Sequence, residues 1–541
     1  MTRVCLFTFW SVFVCVASLH GGISRALASN YYASPEGGGS GVSESSPFRV
    51  ADFFAVANAG DTLLLLDGHY MGDDAMIAPP ENLSGSDGQP ITIRALNDGR
   101  VDIDGEGARH PISLEGVDWW VVEGVNAHSA GGAGINHTVV SVSHSSHCAL
   151  RRIVAWDATD GNSNIFGVHN GDYNLVEDCA GFGIARKIFS NSQGGNHTTF
   201  RRCWGRWEGS HVQGPKCTFT ISYNSYDALL ENCIATWNAE RMRESYELTD
   251  YNGVGVGETF TNYEVQMATG LITHDGFDEG FSDVANARVL GSLAYLTADE
   301  RYAGSFRVWF GPLSVSLKGV TLRDVITIVE PGAHDDIWPL YLQETGAPGS
   351  SSASNLTVIG AASMSVHSDW STSGVYNATS CDAIIAGDGH VLDPTSGGVS
   401  GGATMMKRIV DGTVTGENLW PWPMNQRILE AMAAAGRTPV DVTRTAFGLC
   451  GGTMPAAYVP SDAGSADAGV DASIGPAIDG AVLADGGAHT SDAGAGATPL
   501  SDGCSCRVAG RHGASAFTAF AGLIVLGLYA LRMRARGKVR T

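Results

Sequence analysis

Five short segments recur along the chain, each closing a β-prone stretch: Trp120-Val121-Val122-Glu123-Gly124-Val125, Leu150-Arg151-Arg152-Ile153, Val176-Glu177-Asp178-Cys179, Phe200-Arg201-Arg202-Cys203 and Leu230-Glu231-Asn232-Cys233. Their last residues, 125, 153, 179, 203 and 233, lie 28, 26, 24 and 30 positions apart. Gly, Asn, Asp and Ser fill the gaps, and weaker copies continue at Thr321–Val325 and Asn355–Ile359. Short strands at this period, with no helical pattern between them, predict a solenoid in which each coil contacts only its neighbours. In a parallel β-helix, equivalent positions of successive coils stack about 4.8 Å apart, so the alignment becomes a spatial statement.

Three columns follow. Val125, Ile153, Cys179, Cys203 and Cys233 are small and apolar and are expected to face the interior. The three cysteines are expected to form a thiol stack, because in-register side chains run parallel whereas a disulfide needs converging Cβ atoms. Cys381 with Cys450 stays open as a bridge, and no spacing matches a zinc site. Two places before each terminal residue stand Glu123, Arg151, Glu177, Arg201 and Glu231, an alternating charge ladder expected on an exposed face that would disfavour a one-coil slip. Trp207 aligns with Trp237, and Trp156 with Phe182, as aromatic stacks or, alternatively, a sugar-binding platform.

With 33 Lys and Arg against 56 acidic residues, the net charge is −23, which argues against a nucleic-acid partner. An acidic glycan is compatible only if a local cationic cluster or divalent ion receives it. The termini predict an address. Arg3, the apolar run Val4–Leu19 and Ala26-Leu27-Ala28 read as a secretory signal over residues 1–28, with a retained membrane anchor as the alternative. Residues 29–460 form the expected β-helix domain. Residues 461–503 are an Asp/Ala/Gly/Ser-rich linker too polar to fold. In the tail, 504–541, Cys504 and Cys506 precede the apolar run Ala514–Leu531 and an Arg-rich end. About 18 residues just span a bilayer core, so one C-terminal transmembrane helix and a cell-envelope location are expected.

Helical faces over Phe48–Ala59 and Asn425–Ala435 predict short capping helices. The expected fold is therefore all-β, a right-handed parallel β-helix with short capping helices and that one transmembrane helix. The opening Tyr31-Tyr32-Ala33-Ser34-Pro35-Glu36-Gly37, followed by Ala59–Leu63, Gly68-His69-Tyr70 and Pro90–Ala95, resembles that of pectin-lyase-like β-helix proteins. The tail resembles myxobacterial C-terminal sorting tails, which implies processing or lipid attachment at Cys504 or Cys506. The first resemblance, with the repeats, covers about Tyr31–Val459. It implies a carbohydrate-active or carbohydrate-binding protein with a polysaccharide partner, since the superfamily includes polysaccharide lyases. It also holds hydrolases, epimerases and adhesins, so a non-catalytic surface binder is the alternative.

β-Elimination from a uronic-acid polymer needs a cation to neutralise the carboxylate and a base to take the adjacent proton. Lysine serves as base when burial or neighbouring cations lower its pKa. Between the expected signal and the apolar tail there are four lysines, at 187, 216, 318 and 407. Lys187 is the candidate base. Counting eight places past the apolar column aligns it with His211 and Arg241, which with Arg186 form a candidate basic row for an acidic chain, or else a set of solvated loop charges. His274–Asp283 places Asp275, Asp278, Glu279 and Asp283 in a Gly-containing loop that suits Ca2+ or is simply a solvated acidic turn. It resembles a stretch of calcium-dependent pectate lyases, which implies a calcium role, and faintly a motif of polygalacturonase-type hydrolases, whose other motifs are not recognisable here.

Overall fold

A computed structural model describes residues 28–209 apart from 133–136 and 160. It also describes strands and short stretches between 216 and 378, and residues 407–440 with 442. The chain winds as a right-handed parallel β-helix with three sheets. Among the described residues these have twelve, eleven and six strands. One coil runs through the first sheet at Ala149–Arg151, the second at Val154–Trp156 and the third at Asn164–His169.

The interior is a set of side-chain columns. In the first sheet Leu63, Ile93, Val122, Leu150, Val176, Phe200, Leu230, Val289 and Leu322 stack in register and are fully buried. In the third sheet Phe166, Phe189 and Phe219 stack ring on ring at 4.7 and 4.6 Å. The predicted cysteine column is there too. Cys179, Cys203 and Cys233 are buried free thiols, and burial drives the first two well above the ordinary thiol range. Cys381 and Cys450 lie outside the described residues.

Over four consecutive coils the first and second sheets are joined by the same two-residue turn. Its corner is one left-handed residue: Arg152, Asp178, Arg202 and Asn232 have φ of 50–51°. A constant turn keeps the count constant, so Trp156 pairs with Phe182 and Trp207 with Trp237 as predicted.

The charge ladder is present in register from Arg94 through Glu123, Arg151, Glu177 and Arg201 to Glu231. It differs from expectation in burial, since Arg201 is 7% and Glu231 0% exposed. The cover is a hairpin of Lys407–Val410 and Thr413–Asn418. The amides of Asp411 and Gly412 donate to Glu231 at 3.1 and 3.0 Å, and Arg201 is paired with Glu177, Glu231 and Asp411. Beyond the hairpin, a helix over Asn425–Ala434 packs on the second sheet. Arg427 donates to the carbonyls of Val125 and Arg152 and to Asn126, and is ion-paired with Asp98. The guanidinium of Arg437 lies 5.4 Å over the Phe182 ring. At the other end a short helix, Val50–Phe54, buries Val50 and Phe53 in the core.

The expected transmembrane helix is corrected. Among the described residues no helix is long and apolar enough to cross a membrane. The run assigned to it, with Cys504 and Cys506, lies outside them, as do residues 1–27. The fold is all-β, a right-handed parallel β-helix with short capping helices. The membrane partner, the sorting-tail resemblance and the cell-surface address rested on that helix and are not retained.

Candidate functional site

Strand Lys187–Ser192 belongs to the third sheet, between Asn164–His169 and Lys216–Ile221. Because Phe166 and Phe189 point inward, their strand neighbours Gly167 and Ser190, which pair across the coils, face outward. The same outer face carries His169 opposite Ser192, and Lys187 sits opposite Asn164. The result is a run of polar side chains over two adjacent coils.

Gly167 is the centre of this patch. A Cβ placed there would lie 2.7 Å from His169 Nε2 and 3.3 Å from Asn164 Nδ2. The absent side chain therefore lets the imidazole lean back along the strand toward the Asn164 and Lys187 end. His169 Nδ1 is hydrogen-bonded with Ser192 Oγ at 2.7 Å. Burial, then the charges of Lys187 and His144, push the His169 imidazole down to about 4, so it is neutral at pH 7. Beside it Ser190 Oγ is fully buried with no hydrogen-bond partner among the described residues. An orphaned buried hydroxyl is a polar group that calls for a partner.

Lys187 is 8% exposed. Arg186, half-buried in the preceding turn, donates to Asn162 Oδ1 at 2.5 Å. The predicted basic row is not in strand register: the partners of Lys187 are Asn164 on the preceding coil and Cys217 on the next. The reason lies in the turn between the second and third sheets. It runs from Gly183 to Lys187 on one coil and from Trp207 to Lys216 on the next, so counting forward from the apolar column loses its meaning there. His211 and Arg241 lie outside the described residues, as do Asp275, Asp278, Glu279 and Asp283 of the expected calcium loop.

Asn164, Gly167, His169, Ser190 and Ser192 were not singled out from the sequence. For Gly167 and His169, and for Ser190 and Ser192 opposite them, the signal is the alternation Phe166-Gly167-Val168-His169, which a register error of one residue erases; Asn164 lies outside it, because Ile165 and Phe166 both enter the core.

No family model matches the chain, and no curated protein matches it. Several solved structures are similar. A pectate lyase, Pel9A, is 18% identical, with 65% of this chain and 81% of that one covered and a TM-score of 0.44. A rhamnogalacturonan lyase is 13% identical, covering 65% and 87% with a TM-score of 0.43. An alginate lyase from Paenibacillus sp. str. FPU-7 is 13% identical, covering 65% and 98% with a TM-score of 0.34. At these identities and TM-scores the likeness carries no argument about activity or substrate.

Proposed function

We propose that the chain is a carbohydrate-active protein that cleaves an acidic, uronic-acid-containing polysaccharide by β-elimination on the outer face of the third sheet. The observation that carries this reading is a nearly buried lysine, Lys187, whose charge is felt by a neutral His169 on the neighbouring coil and whose strand also bears the orphaned hydroxyl of Ser190. A buried amine beside other polar groups is the setting in which lysine acts as a base.

In this reading Lys187 takes the proton next to the sugar carboxylate. The electron pair of that C–H bond becomes a carbon–carbon double bond, and the glycosidic bond on the adjacent carbon breaks. The departing oxygen takes a proton from solvent or from the newly protonated Lys187. Arg186 is assigned to the carboxylate of the substrate, where a guanidinium offers two parallel donors. His169 and Ser190 are assigned to sugar hydroxyls. Calcium, suggested by the acidic segment 274–283, would supply further neutralisation of the carboxylate.

The test is to incubate the full chain with a panel of uronic-acid polymers, with and without Ca2+, following ultraviolet absorbance of the unsaturated product. New absorbance on one polymer supports the proposal. Retention of a polymer without any product on the whole panel makes the protein a non-catalytic binder and overturns it.

A further inference from the structure

On the second sheet rather than the third, His69, Asp102 and His128 converge. Their candidate ligating atoms all lie within 4.8 Å of one another, the one such trio of ligand-type side chains among the described residues. They come from three consecutive coils. His69 is directly opposite Asp102, and His128, opposite Asp104, stands two residues beyond Asn126, the next partner of Asp102.

His69 Nδ1 is 2.8 Å and His128 Nε2 3.2 Å from the Asp102 carboxylate. Burial alone would raise the pKa of that carboxyl, but hydrogen bonds and charge from His128 and His69 outweigh it and keep the group ionised. The other carboxylate oxygen, Oδ1, is buried and lies 3.2 Å from His128 Nε2 within the ion pair, without a well-aligned hydrogen bond. The far sides of both rings are also held. His128 Nδ1 is 2.8 Å from Ser129 Oγ, and His69 Nε2 is 3.5 Å from Asp104. His128 stacks on Trp156 at 4.5 Å with an interplanar angle of 14°, which fixes its orientation. His69 is 47% exposed, so the trio can be approached from solvent.

The geometry points to a binding site for one divalent transition ion of the Zn2+ type, held by His69 Nδ1, Asp102 and His128 Nε2. Two imidazoles and one carboxylate are the donors such an ion selects, whereas Ca2+ and Mg2+ favour oxygen alone. Three ligands on rigid strands leave a fourth position for water or a donor group of a bound molecule. Ser129 and Asp104 stand on the far sides of the rings, where outer partners orient ligating histidines. The rival account is that two histidines merely neutralise Asp102, as arginines neutralise Glu177 on the first sheet.

Titration separates the two accounts. The chelator-stripped full chain is titrated with Zn2+ by calorimetry and with Co2+ by visible absorbance. The expected result is one ion per chain, at least tenfold weaker binding in His69→Ala and in Asp102→Asn, and loss of the Co2+ band in both. His197→Ala, at a different histidine stack, is expected to bind as the wild type does. His69 is exposed, so its substitution leaves packing intact and keeps the test valid if an Asp102 variant misfolds. Equal affinity in wild type and His69→Ala, or no binding by the wild type, would overturn the site.

Discussion

Arg201 lies between Glu177 and Glu231 on adjacent coils and under Asp411, almost out of contact with solvent. On an exposed ladder an Arg201→Glu change would cost little; here it places a third acid in a covered site. The expected loss is about 3–5 kcal/mol, the range for leaving a buried charge without its partner, read as a lower denaturation midpoint. An unchanged midpoint would show that the hairpin does not cover the ladder. Glu177 reports on the same site through pH. Burial would raise its pKa, but Arg202, Arg201 and Arg151 outweigh that and bring it down to about 2. Its contribution, roughly 3 kcal/mol, is fully present above its ordinary value near 4.5 and is lost as pH falls toward 2. Glu177→Gln is expected to be less stable at pH 7 and to have a flatter acid limb in that window.

His169 gives a second residue-scale check, this time within the candidate site. Its pKa is lowered by burial, by Lys187 and by His144. Stability from the neutral imidazole is therefore present above its ordinary 6.5 and lost as pH falls through about 4. Nuclear magnetic resonance of the ring is expected to show no protonation until that pH. Lys187→Met is expected to move the titration upward, because one of the depressing charges is gone. A titration indifferent to Lys187 would separate the two groups and undo their joint assignment.

At the scale of elements, what the sequence revealed depended on turn length. The left-handed corner at Arg152, Asp178, Arg202 and Asn232 is constant, so the thiol column, the charge ladder and the aromatic pairs were all legible by counting. The turn into the third sheet varies, so the partner of Lys187 was not. The His69–Asp102–His128 trio is spaced by 33 and 26 residues, one coil each, and was detectable in principle. Counting does not reach it, because the connection from Ala95 to Val101 is longer than the corner that recurs from Arg152 onward. The burial of the ladder was illegible for another reason: the hairpin that covers it comes from about 180 residues downstream of Glu231, as its amide contacts show. The element that follows, the Asn425–Ala434 helix, is held by the buried Ile428, Ala431 and Met432 and by Arg427. Arg427→Ala removes donors from the buried Val125 carbonyl and the partly buried Arg152 carbonyl, and an ion-pair partner from Asp98. The expected cost is about 3 kcal/mol, with faster hydrogen exchange in the helix and in Val154–Trp156 beneath it. Faster exchange confined to the helix would mean that it does not protect the sheet.

For the whole molecule, a β-helix separates stability from chemistry. The stacked interior of Leu, Val, Phe and Cys sets the register of the coils. The outer faces are free to carry different groups: a charge ladder on the first sheet, a His–Asp–His trio on the second, and a lysine, histidine and serine patch on the third. The central claim concerns that third face, and Lys187→Met tests it most directly. Methionine keeps the aliphatic stem that packs in the site and removes the amine. On the polymer that gives unsaturated product with the wild type, the initial rate at equal folded fraction is the measurement. A loss of about a hundredfold or more, with little change in thermal midpoint, is the predicted result, in line with removal of a general base. A variant that produces unsaturated sugar at the wild-type rate would contradict the claim and move the chemistry to another part of the chain.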